Sequence, residues 1–303
     1  MPALRIHLLG SVELSRGSGR RLELAASCRS LLGYLCMNRH RLVSRQEVAS
    51  AVWAELDDGR ARRCLSTALW RLKTTPGLDH DLVRNSGPDE IGLNPSNLIW
   101  IDIAAFEARA AAWQNIAPEQ LGPAACHRLA KAVATYNGDF LPRVEEDWAF
   151  LERQRLRTLY CDALYQLTAA YCHAENFIRA IVYGRRLCAI EPLREDVHRL
   201  LMRAYVATGN RGKAIEQYRV CQGELGSELG VTPMPETQAL FHSIVERDAV
   251  RPPARGALIA ASLGAADDNV RWVRRALRRS DDRLAEALAL IERALRTNPP
   301  STS

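Results

Sequence analysis

The sequence has no long hydrophobic run and no motif of a known catalytic or metal site. No apolar stretch approaches the ~18 residues that a membrane-spanning helix needs, and residues 1–14 alternate too strongly for a signal peptide. We therefore expect a cytoplasmic protein without a membrane partner. The sequence also lacks a phosphate-binding glycine loop, a nucleophile elbow and an H-E-x-x-H zinc motif. These gaps argue against an enzyme, a metal site and a bound cofactor.

The cysteines do not form any pattern that is typical of disulfides or zinc. There are eight, scattered mostly among apolar neighbours, with no C-x-x-C pair. Such cysteines are usually reduced and buried. They are Cys28, Cys36, Cys64, Cys126, Cys161, Cys172, Cys188 and Cys221.

Length and charge describe a soluble protein with basic ends. A chain of 303 residues is long enough for about two domains. Residues 1–100 hold 14 basic and 10 acidic side chains, residues 101–250 hold 17 and 19, and residues 251–303 hold 10 and 6. The net charges are therefore +4, −2 and +4. A polyanion would meet the basic ends rather than the middle.

The most informative stretch is residues 58–77, which predicts an amphipathic basic helix. From Gly59 to Gly77 it carries five basic side chains and no acidic one. Asp57 and Asp58 can cap its start, and Pro76-Gly77 ends it. Its apolar residues recur at helical spacing and form one face. They are Ala61, Leu65, Ala68, Leu69 and Leu72.

The opposite face of this helix combines basic and hydroxyl side chains, which suit a DNA major groove. An ordinary solvated helix face is the alternative. For Trp70, packing against the preceding helix or the sheet is the favoured interpretation, and contact with a thymine methyl or the sugar-phosphate edge is the other. Arg71 is the best candidate for reading a guanine. The DNA-binding candidates are Arg63, Ser66, Thr67, Trp70, Arg71 and Lys73, with Arg84 as a weaker one.

The elements around this helix predict a winged helix-turn-helix. Short alternating strands precede it up to Leu24. A helix over 28–37 with Ser27 as its cap follows, and a second helix begins at a Ser44–Glu47 capping box. After the basic helix, residues 82–93 predict a β-hairpin with a turn over 85–88, and a strand over 99–101 closes the unit.

These segments resemble the OmpR/PhoB-type DNA-binding domain. The similarity rests on LRIHLLGSVEL, VSRQEVASAVW, ARRCLSTALWRLK and the later hairpin. The resemblance implies that the third helix enters the major groove and that the hairpin, the wing, reaches toward the minor groove. The wing here departs from that pattern, because Asp89 and Glu90 stand in it and only Arg84 is basic.

The middle third contains an internal repeat with a period of 34 residues, the period of tetratricopeptide repeats. Each copy predicts a helix, a turn and a second helix, and such hairpins need stacked neighbours to bury their apolar faces. The first copy is Leu167, Ala170, Tyr171, Asn176, Ala180 and Ile181; the second is Leu201, Ala204, Tyr205, Asn210, Ala214 and Ile215.

The same region resembles the bacterial transcriptional activator domain, which follows a winged helix in regulators of the SARP (AfsR/DnrI-like) family. The motifs are ATYNGDFLP from Ala134, DW at Asp147, ER at Glu152, EPLRE from Glu191 and ELGVTP from Glu228. The resemblance implies a transcriptional activator that binds repeated half-sites near promoters and engages RNA polymerase.

The sequence therefore predicts a mainly α protein. An N-terminal winged helix-turn-helix (α+β, residues 1–100) precedes an all-α, TPR-like repeat domain (101–248). Residues 249–303 predict a linker and an amphipathic C-terminal helix, which either docks on the repeats or pairs with a partner. The predicted function is sequence-specific DNA binding, with double-stranded DNA and RNA polymerase as partners and a homodimer as a further possibility. The alternative is a protein-interaction scaffold whose winged helix binds protein.

Overall fold

The computed structural model describes residues 4–16, 20–94, 99–113 and 115–246. The chain divides into two compact units, residues 1–247 and 248–303. The predicted linker and C-terminal helix lie outside the described residues. The strands of the first unit are β1 (Leu4–His7), β2 (Glu13–Arg16), β3 (Arg20–Leu22), β4 (Val43–Ser44), β5 (Val83–Ser86), β6 (Glu90–Leu93) and β7 (Ile99–Ile101).

Among the residues described, the winged-helix region (residues 4–101) contains three helices and the repeat region (102–246) contains seven. Two 3-10 turns, Ala111–Trp113 and Pro118–Gln120, follow the fourth helix. The helices are α1 (Ala26–Met37), α2 (Arg45–Val52), α3 (Asp58–Thr74), α4 (Asp102–Ala110), α5 (Pro123–Thr135), α6 (Asp147–His173), α7 (Phe177–Cys188), α8 (Glu195–Ala207), α9 (Arg211–Leu229) and α10 (Pro235–Glu246).

Two small sheets frame the three helices of the winged-helix region. The first has the strand order β3-β2-β1-β7, with β7 parallel to β1 and the other pairs antiparallel. The second has the order β4-β6-β5 and includes the hairpin of the wing. Alternate residues of β1, such as Leu4 and Ile6, are buried because successive side chains of a strand point to opposite faces.

Three local predictions need correction. Ser27 is not the cap of α1: the helix starts at Ala26, two residues earlier than predicted, with Ala25 as its N-cap residue and no side-chain cap bond. Strand β5 runs to Ser86, so the turn of the wing is Gly87–Asp89 rather than residues 85–88. Strand β3 ends at Leu22, before Leu24. The Ser44 cap is confirmed, because its hydroxyl oxygen accepts the Glu47 N–H at 3.0 Å.

The two copies of the internal repeat fold alike. Each copy turns between its helices through the same bond: the Asn176 N–H donates to the Tyr171 carbonyl and the Asn210 N–H to the Tyr205 carbonyl, both at 2.8 Å. Helices α7 and α8 pack closely at Gly184, where a Cβ would lie 2.8 Å from Cδ2 of Leu201. The predicted fold class, a winged helix-turn-helix followed by an all-α repeat region, is confirmed.

The winged-helix and repeat regions share buried polar contacts within the first unit. The fully buried carboxylate of Asp102, at the start of α4, accepts the N–H groups of Leu8 at 2.8 Å and Leu9 at 2.9 Å. Burial raises the pKa of this carboxyl above its ordinary value. On the other side, Arg39 donates to Glu107 of α4 at 2.6 Å. Helix α4 is thereby fixed against both β1 and the end of α1.

Candidate nucleic-acid interface

Helix α3 starts and ends where its sequence specifies. Its N-cap residue is Asp57, whose Oδ1 accepts the Arg60 N–H at 2.9 Å. This bond satisfies one of the free N–H groups of the first turn. The helix ends at Thr74, just before Pro76-Gly77, and Gly77 has a left-handed φ of 87°. The predicted basic helix is therefore present over the predicted residues.

The apolar face of α3 is buried, as its spacing predicts. Leu65 and Ala68 are 1% exposed and the other members are at most 7% exposed. This face packs on α1 and α2, and the Cys28 thiol of α1 contacts the Ala68 carbonyl of α3 at 3.6 Å. Fully burying a leucine contributes about 1.5–3 kcal/mol. The back of α3 is thus held firmly, and its front is free to face a ligand.

Every DNA-binding candidate on α3 is exposed on the opposite face. At about 100° per residue, Arg63 and Trp70 lie near the middle of that face. Arg71 and Lys73 lie at its opposite edges. The structure thus brings the six α3 candidates onto one surface, which we call the α3 front. It consists of these six residues, Arg63, Ser66, Thr67, Trp70, Arg71 and Lys73, together with the exposed Thr74.

Trp70 corrects the interpretation that the sequence favoured. The residue is 64% exposed, so its side chain is not buried against the core as the favoured interpretation requires. Its helical position is opposite the buried arc of α3, so the indole points away from the core. A large apolar side chain this exposed, in the centre of a basic surface, is suited to contact with a ligand.

The cationic side chains of the α3 front are available for a partner. Within the described residues, Arg63, Arg71 and Lys73 form no ion pair, whereas Arg60 lies 3.3 Å from Asp57. The hydroxyls of Ser66 and Thr67 donate to carbonyls one turn earlier, both at 3.0 Å. Their oxygens keep lone pairs that can accept hydrogen bonds from a ligand. The front therefore offers guanidinium and ammonium donors together with hydroxyl acceptors.

Arg45, at the start of α2, is a candidate that the sequence reasoning missed. Its Nη2 lies 3.5 Å from Oγ of Ser66, so it extends the α3 front toward α2. The neighbouring Arg41 is instead committed to Glu47, at 2.5 Å. The sequence shows Arg45 directly after the capping residue Ser44. This position does not reveal that its side chain lies beside α3.

Residues 84–90 of the wing are exposed and carry more acidic than basic charge. Arg84 is solvent-exposed on β5, whereas Asp89 and Glu90 are exposed beyond the turn. The Asp89 carbonyl accepts the Arg45 N–H at 2.7 Å, which ties the wing to α2. Arg84 is thus placed outside the α3 front, on a different element.

The rest of the described chain offers little alternative chemistry. No group of three His, Cys, Asp or Glu side chains that could hold a metal ion occurs within it. Burial raises the pKa of the Cys161 and Cys188 thiols to about 12, so they remain protonated at neutral pH. Among the helices described, none is long and apolar enough to span a bilayer.

Comparison with known proteins gives consistent results. Residues 101–245 match the bacterial transcriptional activator domain family. The transcriptional regulatory protein MoaR1 of Mycobacterium tuberculosis and its counterpart in Mycobacterium bovis are each 27% identical to this chain over 259 residues. The match covers 81% of this chain and 80% of each relative. Both relatives are named as transcriptional regulatory proteins.

A solved structure shares the fold. Mycobacterium tuberculosis EmbR, in complex with a low-affinity phosphopeptide, superimposes with a TM-score of 0.64 at 21% identity. The match covers 84% of this chain and 67% of EmbR. The fold and the α3 front define a helix-turn-helix protein with a repeat region. With the domain match and the MoaR1 relatives, this chain is similar to bacterial transcriptional regulators of the SARP type.

Proposed function

We propose that this regulator binds specific DNA sequences by placing α3 in the major groove. The observation that carries the proposal is the α3 front, where unpaired arginines and Lys73 surround an exposed tryptophan on a helix whose back is buried. Arginine can pair bidentately with guanine O6 and N7, and lysine can neutralise phosphate. Because no ion pair within the described residues must be broken first, these contacts form without that cost.

The residues divide into two roles. Arg63 and Arg71 are the proposed base readers, and Trp70 supplies an apolar contact to a thymine methyl or a sugar. Lys73, Ser66 and Thr67 position the helix on the backbone. The acidic residues Asp89 and Glu90 make the wing a poor minor-groove reader, so Arg84 contributes at most a phosphate contact.

The family suggests the rest of the mechanism. We propose that two protomers bind repeated half-sites in promoters in the cytoplasm, and that the repeat region contacts RNA polymerase to activate transcription. The boundary between the DNA-binding and repeat domains then falls at about residue 101, where β7 ends and α4 begins.

A binding selection on genome fragments tests the proposed function. Purified full-length protein is mixed with fragments, and the bound fraction is sequenced. We expect a repeated motif upstream of genes, with an affinity that falls steeply with salt. If the bound fraction has no shared motif, sequence-specific binding by α3 is wrong.

The second candidate function is a scaffold that binds protein through both regions. The observation that favours it is the stacked helical repeat, an architecture that commonly presents binding surfaces. The double variant Arg63→Ala with Arg71→Ala separates the two functions. A scaffold would keep its protein partners in this variant, whereas a DNA-binding regulator would lose its promoters.

A further inference from the structure

Residues 138–144 of the repeat region cross the end of β1 in the winged-helix region. The Gly10 N–H donates to the Asp139 carbonyl at 2.9 Å, and the Leu141 N–H donates to the Leu8 carbonyl at 3.1 Å. Between them, Leu9 and Phe140 form an antiparallel bridge. We call residues 138–144 the latch.

The latch contains a residue in an unfavourable backbone conformation. Leu141 has a φ of 41° although it is not glycine, and its side chain is completely buried. Such a conformation costs about 1–3 kcal/mol and persists only where the surroundings hold it. The side chain lies against Gly33 of α1, where an added Cβ would stand 2.4 Å from Cδ1 of Leu141. Leu141 therefore fits because position 33 has no side chain.

Arg153 of α6 holds this conformation from the other side. Its guanidinium donates to three carbonyls of the latch, those of Phe140 at 2.9 Å, Leu141 at 2.7 Å and Val144 at 2.7 Å. Bonds from a charged donor are stronger than neutral ones, and the planar fork fixes their directions. The guanidinium thus fixes the backbone on both sides of Leu141.

Helix α1 connects the latch to α3. Near its C-terminal end, Gly33 receives Leu141, and the Tyr34 ring meets Trp148 of α6 edge-on at 5.1 Å. Near its N-terminal end, the Cys28 thiol contacts the Ala68 carbonyl of α3 at 3.6 Å. A change at the latch would therefore move the winged-helix region, α3 included, relative to the repeat region.

We infer that the latch sets the orientation of α3 relative to the repeat region, with Leu141 and Arg153 as positioning residues. The inference rests on the proposed function, because it assigns a role to the join between the DNA-binding and repeat regions. In a homodimer, two linked protomers bind adjacent half-sites. A rigid join then allows both to bind only when the spacing of the half-sites matches the dimer, whereas a loose join also tolerates other spacings. One isolated half-site is contacted by a single winged-helix region, so we expect its affinity to be unaffected by the angle of the join.

The experiment changes the Gly33–Leu141 contact by one methyl group. Gly33→Ala places a Cβ where Leu141 lies, and Gly33→Ala with Leu141→Ala restores the space. Gly223→Ala is the matched control, since that helical glycine has nothing within 4 Å of an added Cβ. Arg153→Lys keeps the positive charge but loses the planar guanidinium that donates to the three latch carbonyls. It serves as a second variant if Gly33→Ala does not fold. Circular dichroism establishes which variants are folded.

Affinities are measured by fluorescence anisotropy on one selected half-site and on pairs whose spacing changes in steps, up to half a helical turn (about 5 base pairs). We expect the wild type and Gly223→Ala to prefer the best spacing roughly tenfold. In Gly33→Ala and Arg153→Lys the preference should fall below about threefold while half-site affinity is retained. The double variant should recover the preference.

Each other result is decisive. If the latch variants keep the spacing preference, or if half-site affinity falls in parallel with it, the latch does not set the orientation. The inference is also wrong if the wild type binds the half-site but is indifferent to spacing, although the proposed function then stands. If the wild type binds no DNA selectively, the proposed function itself fails.

Discussion

At the scale of single residues, Trp70 shows that the usual burial of a residue type can mislead where helical spacing does not. Tryptophan is usually well buried, and this prior favoured packing against the core. The position is nevertheless opposite the buried arc of α3, and the side chain is 64% exposed. Helical spacing alone would have placed it correctly, because the five apolar residues already define the buried face.

Replacing Trp70 distinguishes a structural from a ligand-binding role. We expect Trp70→Ala to change the free energy of unfolding by less than about 0.5 kcal/mol, because the side chain is exposed. Affinity for the selected DNA should fall roughly tenfold, as for a tryptophan anchor in an interface. Urea unfolding and anisotropy provide the two measurements.

Trp148→Ala is the control for Trp70→Ala, since Trp148 packs against Tyr34 and Phe140. It should lower stability by about 3–5 kcal/mol. A comparable loss of stability in Trp70→Ala would show that Trp70 has a structural role after all.

Glu47 gives a pH-dependent prediction. Hydrogen bonds from Arg41, and then from Tyr34, hold its pKa below the ordinary 4.5 in spite of partial burial. Because the folded pKa is lowered, the carboxylate stabilises the fold fully above pH 4.5 and less as the pH falls through the lowered pKa. The difference in free energy of unfolding between wild type and Glu47→Gln should therefore be constant near neutral pH and shrink in acid.

Urea unfolding between pH 3 and 7 measures that difference, since this range brackets the ordinary pKa of 4.5. Glu55→Gln is the control, since Glu55 is exposed. A difference that grows on acidification would mean that the Arg41–Glu47 pair does not stabilise the folded state.

At the scale of elements, local patterns predicted the helices well, and long-range contacts were beyond them. The apolar spacing of Leu65, Leu69 and Leu72 fixes α3, and the 34-residue period fixes the repeat helices. The latch could not be predicted, because Gly33 and Leu141 are more than a hundred residues apart and their fit depends on tertiary packing. Among the candidates at the site, Arg45 was missed for the same reason, because its partner Ser66 is on another helix.

The N-cap residue Asp57 contributes to the stability of α3. Removing the Asp57 side chain leaves an N–H of the first turn without its acceptor, so Asp57→Ala should lower the free energy of unfolding by about 0.5–2 kcal/mol. Asp57→Asn should retain most of the stability, since asparagine is also a good cap. Urea unfolding measures both, and amide exchange at Arg60 reports the local effect.

Asp58→Ala is the matched control for the cap. Asp58 lies in the first turn but is not the N-cap residue, so its loss should cost only about 0.3–1 kcal/mol. Equal effects of the two alanine variants would mean that the Asp57 bond to Arg60 adds nothing beyond helix-dipole charge.

At the scale of the whole molecule, the charge distribution is consistent with the proposed DNA binding. The first hundred residues carry a net charge of +4 and the next hundred and fifty a net charge of −2. DNA would therefore be drawn to the winged-helix region and repelled by the repeat region. In the proposed function, this asymmetry would orient the protein on DNA before any base is read.

The central claim is that α3 reads DNA sequence, and the specificity ratio tests it most directly. Anisotropy titrations compare the selected motif with a scrambled duplex at several salt concentrations. The proteins are the wild type, Arg71→Ala, Lys73→Ala and, as a control, Arg219→Ala. Arg219 is an exposed arginine on α9. We expect Arg71→Ala to lose about 1–3 kcal/mol of preference for the motif. Lys73→Ala should weaken both duplexes alike and reduce the salt slope by about 1, and Arg219→Ala should match the wild type. If Arg71→Ala keeps the full preference of the wild type, Arg71 does not read a base and its assignment is wrong.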